Sequence, residues 1–273
     1  MAFTSEVITL QSDGPVVTLW LDRPEKRNAL GDAFWRDLGL AAREIADDND
    51  VRVVVLAARG PHFTVGLDLK EFSGPRESRA TSAAAQNAAR YHKVREWQGS
   101  VSALAALPVP VIAAVHGYCL GAGIDLITAC DIRLCSSDSV FSVRETKVAI
   151  VADLGTLQRL PRVVGAGHAA ELALTGKDID AARAEAIGLV NAVRGEHAGA
   201  VLGAAYELAG EIAANSPLAV RGTKAVLAAN DGRTVEEGLE FVARWNTMYL
   251  ESNDLREALT AFLERRAPRF SGS

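Results

Sequence analysis

The sequence is poor in cysteine and lacks the patterns by which cysteine or histidine binds a metal. Its 273 residues contain three cysteines and five histidines, with no C-x-x-C and no H-x-x-x-H spacing. Neither a metal site nor a dithiol redox centre is therefore predicted. Cys119, Cys130 and Cys135 lie in or beside apolar runs, where a free thiol packs as a small hydrophobic side chain. A sparse, odd number of cysteines also favours a reducing compartment.

An excess of positive charge is also absent. The chain has 29 Lys and Arg against 34 Asp and Glu, which gives a net charge of −5. No basic stripe with interleaved aromatic residues occurs, so the electrostatic signature of a nucleic-acid-binding protein is missing. Two small basic groups, at residues 23–27 and 265–269, are expected to be mostly solvated, although either could contact an anionic ligand.

Targeting and membrane-spanning patterns are missing as well. The first basic residue is Arg23, so no positive segment precedes an apolar run, and Ser271-Gly272-Ser273 is not a peroxisomal address. We therefore expect a cytoplasmic protein. Residues 99–124 carry no charge apart from a possible charge on histidine, but Pro108 and Pro110 would break a spanning helix. This stretch is interpreted as the most buried part of a soluble core, and no membrane partner is expected.

Periodicity along the chain predicts strands that alternate with helices in the first two thirds, followed by helices alone. The predicted strands are residues 7–10, 16–21, 51–57, 109–115, 132–134 and 189–193. The predicted helices are one that Asp32 caps and that runs to about Ala46, one over residues 81–107, one over residues 124–130, and nearly everything after His197. This order is typical of an α/β fold with a helical C-terminal part.

Two loops that follow buried strands are the first candidates for a functional site. Residues 109–129 read as a strand ending in glycines that start a helix, an arrangement that leaves backbone N–H groups free for an anion. Residues 63–69 follow the strand at 51–57 in the same context, and the two loops could direct two N–H groups at one carbonyl oxygen. Tight packing is an equally open reading. A dinucleotide fingerprint is disfavoured because its third glycine would fall at Leu126.

Three carboxylates are the second group of candidates. Asp125 lies in an otherwise apolar helix start, where an acid is costly to bury unless it is paired or used. Glu145 and Asp153 flank an apolar stretch and could face one cavity as base and acid. The alternatives are a helix N-terminal acid for Asp125 and surface carboxylates for the other two. His116 is predicted to be a hydrogen-bonded core histidine.

Taken together, these residues resemble the crotonase family, the enoyl-CoA hydratase/isomerase superfamily. The resemblance runs in order over residues 5–270, and its motifs are Arg23-Pro24 with Asn28-Ala29-Leu30, residues 63–68, residues 116–131, Gly155-Thr156-Leu157-Gln158-Arg159-Leu160-Pro161, Leu174-Thr175-Gly176 and Ala186-Ile187-Gly188-Leu189-Val190. It implies an α/β spiral of ββα units over residues 1–195, with a helical C-terminal trimerisation part over residues 196–273. It also implies a homo-oligomer, either a trimer or a dimer of trimers.

The resemblance further implies an acyl-CoA thioester as the substrate, with coenzyme A as part of it, and neither a separate cofactor nor a metal. The thioester carbonyl would lie between the backbone N–H groups of Leu67 and Ala122, where the family usually has glycine at the second position. Alanine keeps the N–H, so the oxyanion hole should survive. Contacts to coenzyme A or the acyl group would come from Lys26, Val65, Gly66, Asp68 and Gly121.

The acids at three positions separate the branches of this family. Hydratases have glutamates at the positions of Asp125 and Glu145 and glycine at that of Asp153, whereas this chain resembles the Δ3,5-Δ2,4-dienoyl-CoA isomerases. The resemblance implies isomerisation of a 3,5-dienoyl-CoA to a 2,4-dienoyl-CoA in fatty acid metabolism. Glu145 would take the C2 proton, Asp153 would protonate C6 and Asp125 would orient or tune the pair. An enoyl-CoA hydratase, a Δ3-Δ2-enoyl-CoA isomerase and a non-catalytic acyl-CoA-binding paralogue stay open as alternatives.

Overall fold

The structure is a computed structural model that describes residues 3–73 and 82–273. Its strands are β1 (Ile8–Asp13), β2 (Val16–Leu21), β3 (Val53–Ala58), β4 (Val111–Val115), β5 (Tyr118–Leu120), β6 (Ile132–Cys135), β7 (Val140–Ser142), β8 (Ile179–Asp180) and β9 (Ala192–Val193). Its helices are α1 (Asp32–Asp47), α2 (Leu69–Ser73), α3 (Ala83–Ala105), α4 (Ala122–Thr128), α5 (Thr156–Val164), α6 (Ala166–Thr175), α7 (Ala181–Ala186), α8 (Ala198–Ala213), α9 (Pro217–Ala229), α10 (Val235–Tyr249) and α11 (Asn253–Glu264). Single 3₁₀ turns cover Pro24–Lys26 and Glu145–Val148.

The strands form two sheets. The larger sheet has the order β1-β2-β3-β4-β6-β9, in which only the β1–β2 hairpin is antiparallel. The smaller sheet has the order β5-β7-β8 and begins directly after β4. Because β3 and β4 are parallel neighbours, the loops that follow them leave the same edge of the larger sheet. The topology therefore brings the two candidate loops together.

The central strands are covered on both faces, which explains their continuous apolar sequences. In β3, Val54 and Leu56 face the core beneath α1 and α3, whereas Val53 and Val55 face a second core beneath α8. Alternation of this kind follows from the two-residue repeat of a strand. Residues 99–124, which carry no formal charge, fold as the end of α3, then β4 and β5, and the start of α4.

The α/β class and the helical C-terminal part are confirmed, with two differences from the prediction. The smaller sheet was not predicted, because strands of two or three residues are too short to show a period. Asp32 does not cap α1. Gly31 occupies the cap position, and the Asp32 N–H donates to the Glu71 carboxylate at 3.1 Å. The predicted helix start at Thr81 lies outside the described residues.

Two smaller predictions, on the cysteines and on His116, are also confirmed. The three cysteines are buried free thiols. The His116 side chain is buried, and its Nε2 lies 2.9 Å from the Gly60 carbonyl oxygen. Among the helices described, none has the length and apolar character needed to span a bilayer. Within residues 3–73 and 82–273, no cluster of histidine, cysteine and acidic side chains is suited to hold a metal ion.

A short backbone pairing joins the loop after β3 to β5. The Thr64 N–H donates to the Tyr118 carbonyl at 2.8 Å, and the Leu120 N–H donates back to the Thr64 carbonyl at 3.1 Å. Gly66 follows with a φ of +85°, and a β-carbon there would lie 2.8 Å from the Leu120 carbonyl oxygen. Glycine is therefore required at residue 66 both by the backbone conformation and by the close approach.

We expect Gly66→Ala to lower the free energy of unfolding by about 1–3 kcal/mol, because alanine is strained at positive φ and its methyl group meets a backbone oxygen. The matched control is Gly167→Ala in α6, where a β-carbon meets nothing within 4 Å. That change should raise the free energy of unfolding by about 0.5–1 kcal/mol, since alanine is the better helix former. Urea unfolding measures both, and equal stability of the two variants would contradict the argument.

Candidate active site

A cleft of about 1020 Å³ opens where the loop after β3, β5 and the turn after β7 meet. Eight of the ten site residues predicted from the sequence line it, namely Lys26, Val65, Gly66, Leu67, Asp68, Gly121, Ala122 and Glu145. The other two, Asp125 and Asp153, are not among its lining residues in the described part of the chain. The residues predicted for the oxyanion hole and for substrate contacts therefore lie around one cleft, whereas only one of the three predicted acids, Glu145, lines it.

Two backbone N–H groups converge in this cleft. Leu67 forms an isolated β-bridge with Leu30. In this bridge the Leu30 N–H donates to the Gly66 carbonyl, and the Leu30 carbonyl accepts the Asp68 N–H. The N–H of Leu67 itself is not used by the bridge. Ala122 is the first residue of α4, so its N–H has no acceptor within the helix. A β-carbon built on Gly66 would lie 3.6 Å from the Ala122 nitrogen, which shows how closely the two loops approach.

Glu145 reaches the same place from the smaller sheet. The Gly121 N–H donates to the Ser142 carbonyl at 2.8 Å, and the 3₁₀ turn that begins at Glu145 follows directly after β7. The Glu145 side chain is buried, and its Oε1 would lie 3.4 Å from a β-carbon on Gly121. Its Oε2 is buried without a hydrogen-bond partner. Burial raises the pKa of Glu145, and the charge of Asp153 adds to this effect.

Asp125 lies behind the cleft wall, on α4. Its side chain is 1% exposed, and its Oδ1 accepts the Thr156 N–H at 2.5 Å. Thr156 is the first residue of α5, so the carboxyl lies at the positive end of that helix. Burial nevertheless dominates and raises the pKa of Asp125 to about 7, with smaller contributions from the charges of Glu145 and Asp153. The pKa of Asp125 therefore responds to the charge on both of the other predicted acids.

Asp153 lies on the loop between the 3₁₀ turn and α5. Its side chain is exposed, yet desolvation by the surrounding protein still raises the pKa of Asp153. The backbone carbonyl of Asp153 accepts a hydrogen bond of 2.6 Å from Gln98 Nε2 on α3. The loop is thereby tied to a helix that precedes it by some fifty residues, a contact that no local pattern in the sequence indicates.

Asp68 lines the cleft but has most of its hydrogen-bonding capacity engaged. Its Oδ1 accepts the Lys70 N–H at 3.2 Å, and its Oδ2 accepts from Arg23 Nη1 at 3.1 Å. Burial acts to raise the pKa of Asp68, but the backbone N–H groups of Glu71 and Lys70 and the charge of Arg23 lower it overall. Asp68 therefore holds the start of α2 and orients the loop that carries Leu67.

Positive charge in the cleft comes from Lys26, Arg27, Lys70 and Arg144. Arg144, next to Glu145 in the chain, directs its Nη2 to both oxygens of Asp178, at 2.7 and 2.6 Å. Sequence reasoning missed this ion pair because its partners are 34 residues apart. Arg144 is thereby held away from the neighbouring carboxylate of Glu145.

The chemical capacity of this arrangement follows from its parts. Two N–H donors can stabilise negative charge that develops on a carbonyl oxygen placed between them. A buried carboxylate with a raised pKa beside these donors can accept a proton from the carbon next to that carbonyl. A second carboxyl with a raised pKa on the adjoining loop can return a proton elsewhere. The site is therefore suited to forming and reprotonating an enolate.

Comparison with known proteins identifies relatives over nearly the whole chain. A model of the enoyl-CoA hydratase/isomerase family matches residues 11–273. A protein of Dictyostelium discoideum named Delta(3,5)-Delta(2,4)-dienoyl-CoA isomerase, mitochondrial, is 45% identical over 93% of this chain and 87% of its own. The peroxisomal protein of that name from Arabidopsis thaliana is 42% identical over 98% and 97%. The crystal structure of an enoyl-CoA hydratase from Bacillus anthracis superposes with a TM-score of 0.89 at 32% identity, covering 98% of this chain and all of the other.

These findings confirm the predicted fold and correct one prediction. The likeness to the Bacillus anthracis structure confirms the crotonase-like α/β fold with its helical C-terminal part. The prediction of a cytoplasmic location is wrong, because the two relatives are named as mitochondrial and peroxisomal proteins. The absence of a recognisable address, on which that prediction rested, is therefore a poor guide to location.

The raised pKa of Asp125 predicts a dependence of stability on pH. The Asp125 carboxyl loses its proton near pH 4 in the unfolded chain and near pH 7 in the folded chain. The contribution of this group to the free energy of unfolding is therefore fully present below about pH 4 and is lost as the pH rises through 7. In Asp125→Asn, which keeps an oxygen for the Thr156 N–H, this loss disappears. The fall in unfolding free energy between pH 5 and pH 8 should become smaller by about 2 kcal/mol. Urea unfolding at both pH values tests this, and parallel pH dependences would show that Asp125 is ionised normally.

Proposed function

Because the chain belongs to the enoyl-CoA hydratase/isomerase family, we propose that it isomerises a 3,5-dienoyl-CoA to the conjugated 2,4-dienoyl-CoA. The observation that carries this proposal is the buried Glu145 carboxyl, whose Oε2 has no hydrogen-bond partner, in the same cleft as the N–H groups of Leu67 and Ala122. The names of the relatives from Dictyostelium and Arabidopsis support the same activity. The acyl-CoA thioester belongs to fatty acid metabolism.

The thioester oxygen is held by the N–H groups of Leu67 and Ala122. Polarisation by two donors makes the C2 hydrogens acidic, and loss of one such donor in other enzymes costs about 2.7–4 kcal/mol. Alanine at residue 122 keeps the donor, and its side chain is 2% exposed. Val65, Gly66 and Gly121 form the walls on either side of the carbonyl, while Lys26 on the rim takes an anionic part of coenzyme A.

Glu145 removes the proton from C2. Its carboxyl adjoins Gly121, the residue before the second donor, so the base lies next to the carbon that the donors activate. Because Oε2 is buried without a partner, ionised Glu145 is poorly solvated and gains stability by taking a proton. The electrons of the broken C2–H bond spread over the thioester oxygen and the two double bonds, giving an extended enolate.

Asp153 donates the second proton, to C6. This step places double bonds at C2–C3 and C4–C5, and the proton on Glu145 returns to Asp153 through solvent before the next turnover. The raised pKa of Asp153 favours the protonated carboxyl that a general acid needs. Asp125 contacts no substrate atom in this scheme and keeps α5 and the loop before it in place. Only protons move, so the proposal includes neither a metal nor a cofactor beyond the coenzyme A of the substrate.

Hydration of a 2-enoyl-CoA is the main alternative, and the arrangement of Asp125 disfavours it. An aspartate is one methylene shorter than glutamate, and this one is engaged with the Thr156 N–H. A water held jointly with Glu145 would therefore be misplaced, and about 1 Å of misplacement costs on the order of a hundredfold.

We expect a 3,5-dienoyl-CoA to be converted with a specificity constant at least about a hundredfold above that for hydration of a short 2-enoyl-CoA. Absorbance of the conjugated 2,4-dienoyl product follows the first reaction, and loss of the enoyl thioester band follows the second. Comparable specificity constants for isomerisation and hydration would indicate a hydratase. If neither substrate is turned over, a non-catalytic acyl-CoA-binding protein would be favoured.

The two proton transfers should fail separately when each acid is neutralised. Glu145→Gln should abolish both isomerisation and exchange of the C2 hydrogens with deuterated water, because no enolate forms. Asp153→Asn should reduce isomerisation by about 10²–10⁴-fold, as expected for loss of a general acid, yet leave C2 exchange measurable. Mass spectrometry of the recovered thioester reads deuterium at both carbons. Near-normal isomerisation by Asp153→Asn would remove Asp153 from the mechanism.

We also propose that the chain forms a homo-oligomer through α10 and α11. These helices expose large apolar side chains, at Val235, Leu239, Met248, Leu259, Phe262 and Leu263. Isolated exposed apolar residues are ordinary, but contiguous ones usually mark an interface. Light scattering at micromolar concentration should give a trimer or a dimer of trimers, and a monomeric mass would refute this.

A further inference from the structure

The loop that carries Asp153 is held to α3 by one direct hydrogen bond and by a second link that runs through Arg159, neither of which the chemistry uses. Gln98 Nε2 donates to the Asp153 carbonyl at 2.6 Å. One turn along the same helix, Ser102 Oγ accepts from Arg159 Nη2 at 3.3 Å, and Nη1 of that arginine donates to the Leu154 carbonyl at 3.3 Å. Residues four apart share a helix face, so one face of α3 contacts Asp153 directly and Leu154 through Arg159.

The orientation of the Gln98 amide is determined by its two partners. Arg95 Nη1 donates to Gln98 Oε1 at 2.8 Å. A guanidinium can only donate and a backbone carbonyl can only accept, so the amide must turn its oxygen to Arg95 and its nitrogen to Asp153. Because the contact joins two segments 55 residues apart, it positions the Asp153 backbone relative to the rest of the molecule.

We propose that Gln98 is a positioning residue for the second proton transfer, acting through the backbone of Asp153. This inference rests on the proposed function, in which Asp153 protonates C6 at a distance from Glu145 set by the substrate. Glu145 follows the smaller sheet, where the Gly121 N–H donates to the Ser142 carbonyl, and its own carbonyl accepts the Ile150 N–H at 3.0 Å, so neither of these bonds involves Gln98. A shift of the Asp153 loop should therefore slow the transfer of the proton from Asp153 to C6, while Glu145 continues to remove the proton from C2.

The test compares Gln98→Met and Gln98→Glu with a matched control. Methionine keeps the length of the side chain and removes both hydrogen bonds. Glutamate keeps the acceptor for Arg95 but, when ionised, sets a carboxylate oxygen against the Asp153 carbonyl. Gln86→Met makes the same substitution at an exposed position of the same helix. Isomerisation is followed by absorbance, and deuterium at C2 and C6 is read from the recovered thioester.

We expect both Gln98 variants to isomerise about 10- to 100-fold more slowly and to incorporate correspondingly less deuterium at C6. The C2 exchange rate should stay within about threefold of the parent protein, and Gln86→Met should behave as the parent. A merely structural role would instead lower C2 exchange and isomerisation together, which would overturn the proposal. Since Gln98 is only partly buried, both variants should fold, and thermal unfolding checks this directly.

Failure of this inference is distinguishable from failure of the proposed function. If the parent isomerises the dienoyl-CoA, Asp153→Asn is impaired and Gln98→Met is not, the positioning role alone is wrong. If the parent does not isomerise the substrate, or Asp153→Asn retains full activity, the proposed function is wrong and the role of Gln98 falls with it.

Discussion

The site depends on the backbone pairing of Thr64 with the residues around Cys119. Two hydrogen bonds, from Thr64 to Tyr118 and from Leu120 back to Thr64, bring together the loops that leave two neighbouring parallel strands. Without them, the N–H groups of Leu67 and Ala122 would have no common target. The next link, from Gly121 to Ser142, joins this pair to the strand that leads to Glu145. The donors and the base are therefore arranged mainly by main-chain contacts, which require glycine at residue 66 for the close approach.

Burial is the main cause of the raised pKa values of Asp125, Glu145 and Asp153, and the nearby arginines have other hydrogen-bond acceptors. Arg144 is engaged by Asp178, Arg159 by the Leu154 carbonyl and Ser102, and Arg23 by Asp68. A guanidinium directed at a carboxylate would lower the pKa of that acid and oppose the effect of burial. Desolvation is the largest influence on the pKa of both Asp125 and Glu145, although the charge of Asp125 still acts to raise the pKa of Arg159. The burial of these carboxyls in the fold thus raises their pKa values.

Much of the fold and of the cleft was predictable from the sequence, for physical reasons. The apolar runs at β3 and β4 read as buried strands because both of their faces are covered, and the glycines after them read as turns. The contacts of Asp125 with Thr156 and of Asp153 with Gln98 were not predictable, since they join residues 31 and 55 apart. Periodicity and capping describe neighbours along the chain, whereas these contacts arise from tertiary packing. Location was mispredicted because the absence of a local pattern carries little information.

The division of β3 between two cores bears on how this protein can be engineered. Val54 and Leu56 point toward the layer that supports the cleft, whereas Val53 and Val55 point toward α8 on the other face of the sheet. Repacking with side chains of conserved volume is usually tolerated when the pattern is kept. Directed evolution for heat resistance can therefore draw its substitutions from the α8 layer, where the sheet separates them from the reacting groups. Libraries restricted to that layer would search for higher thermostability while avoiding the usual trade-off between stability and catalytic rate.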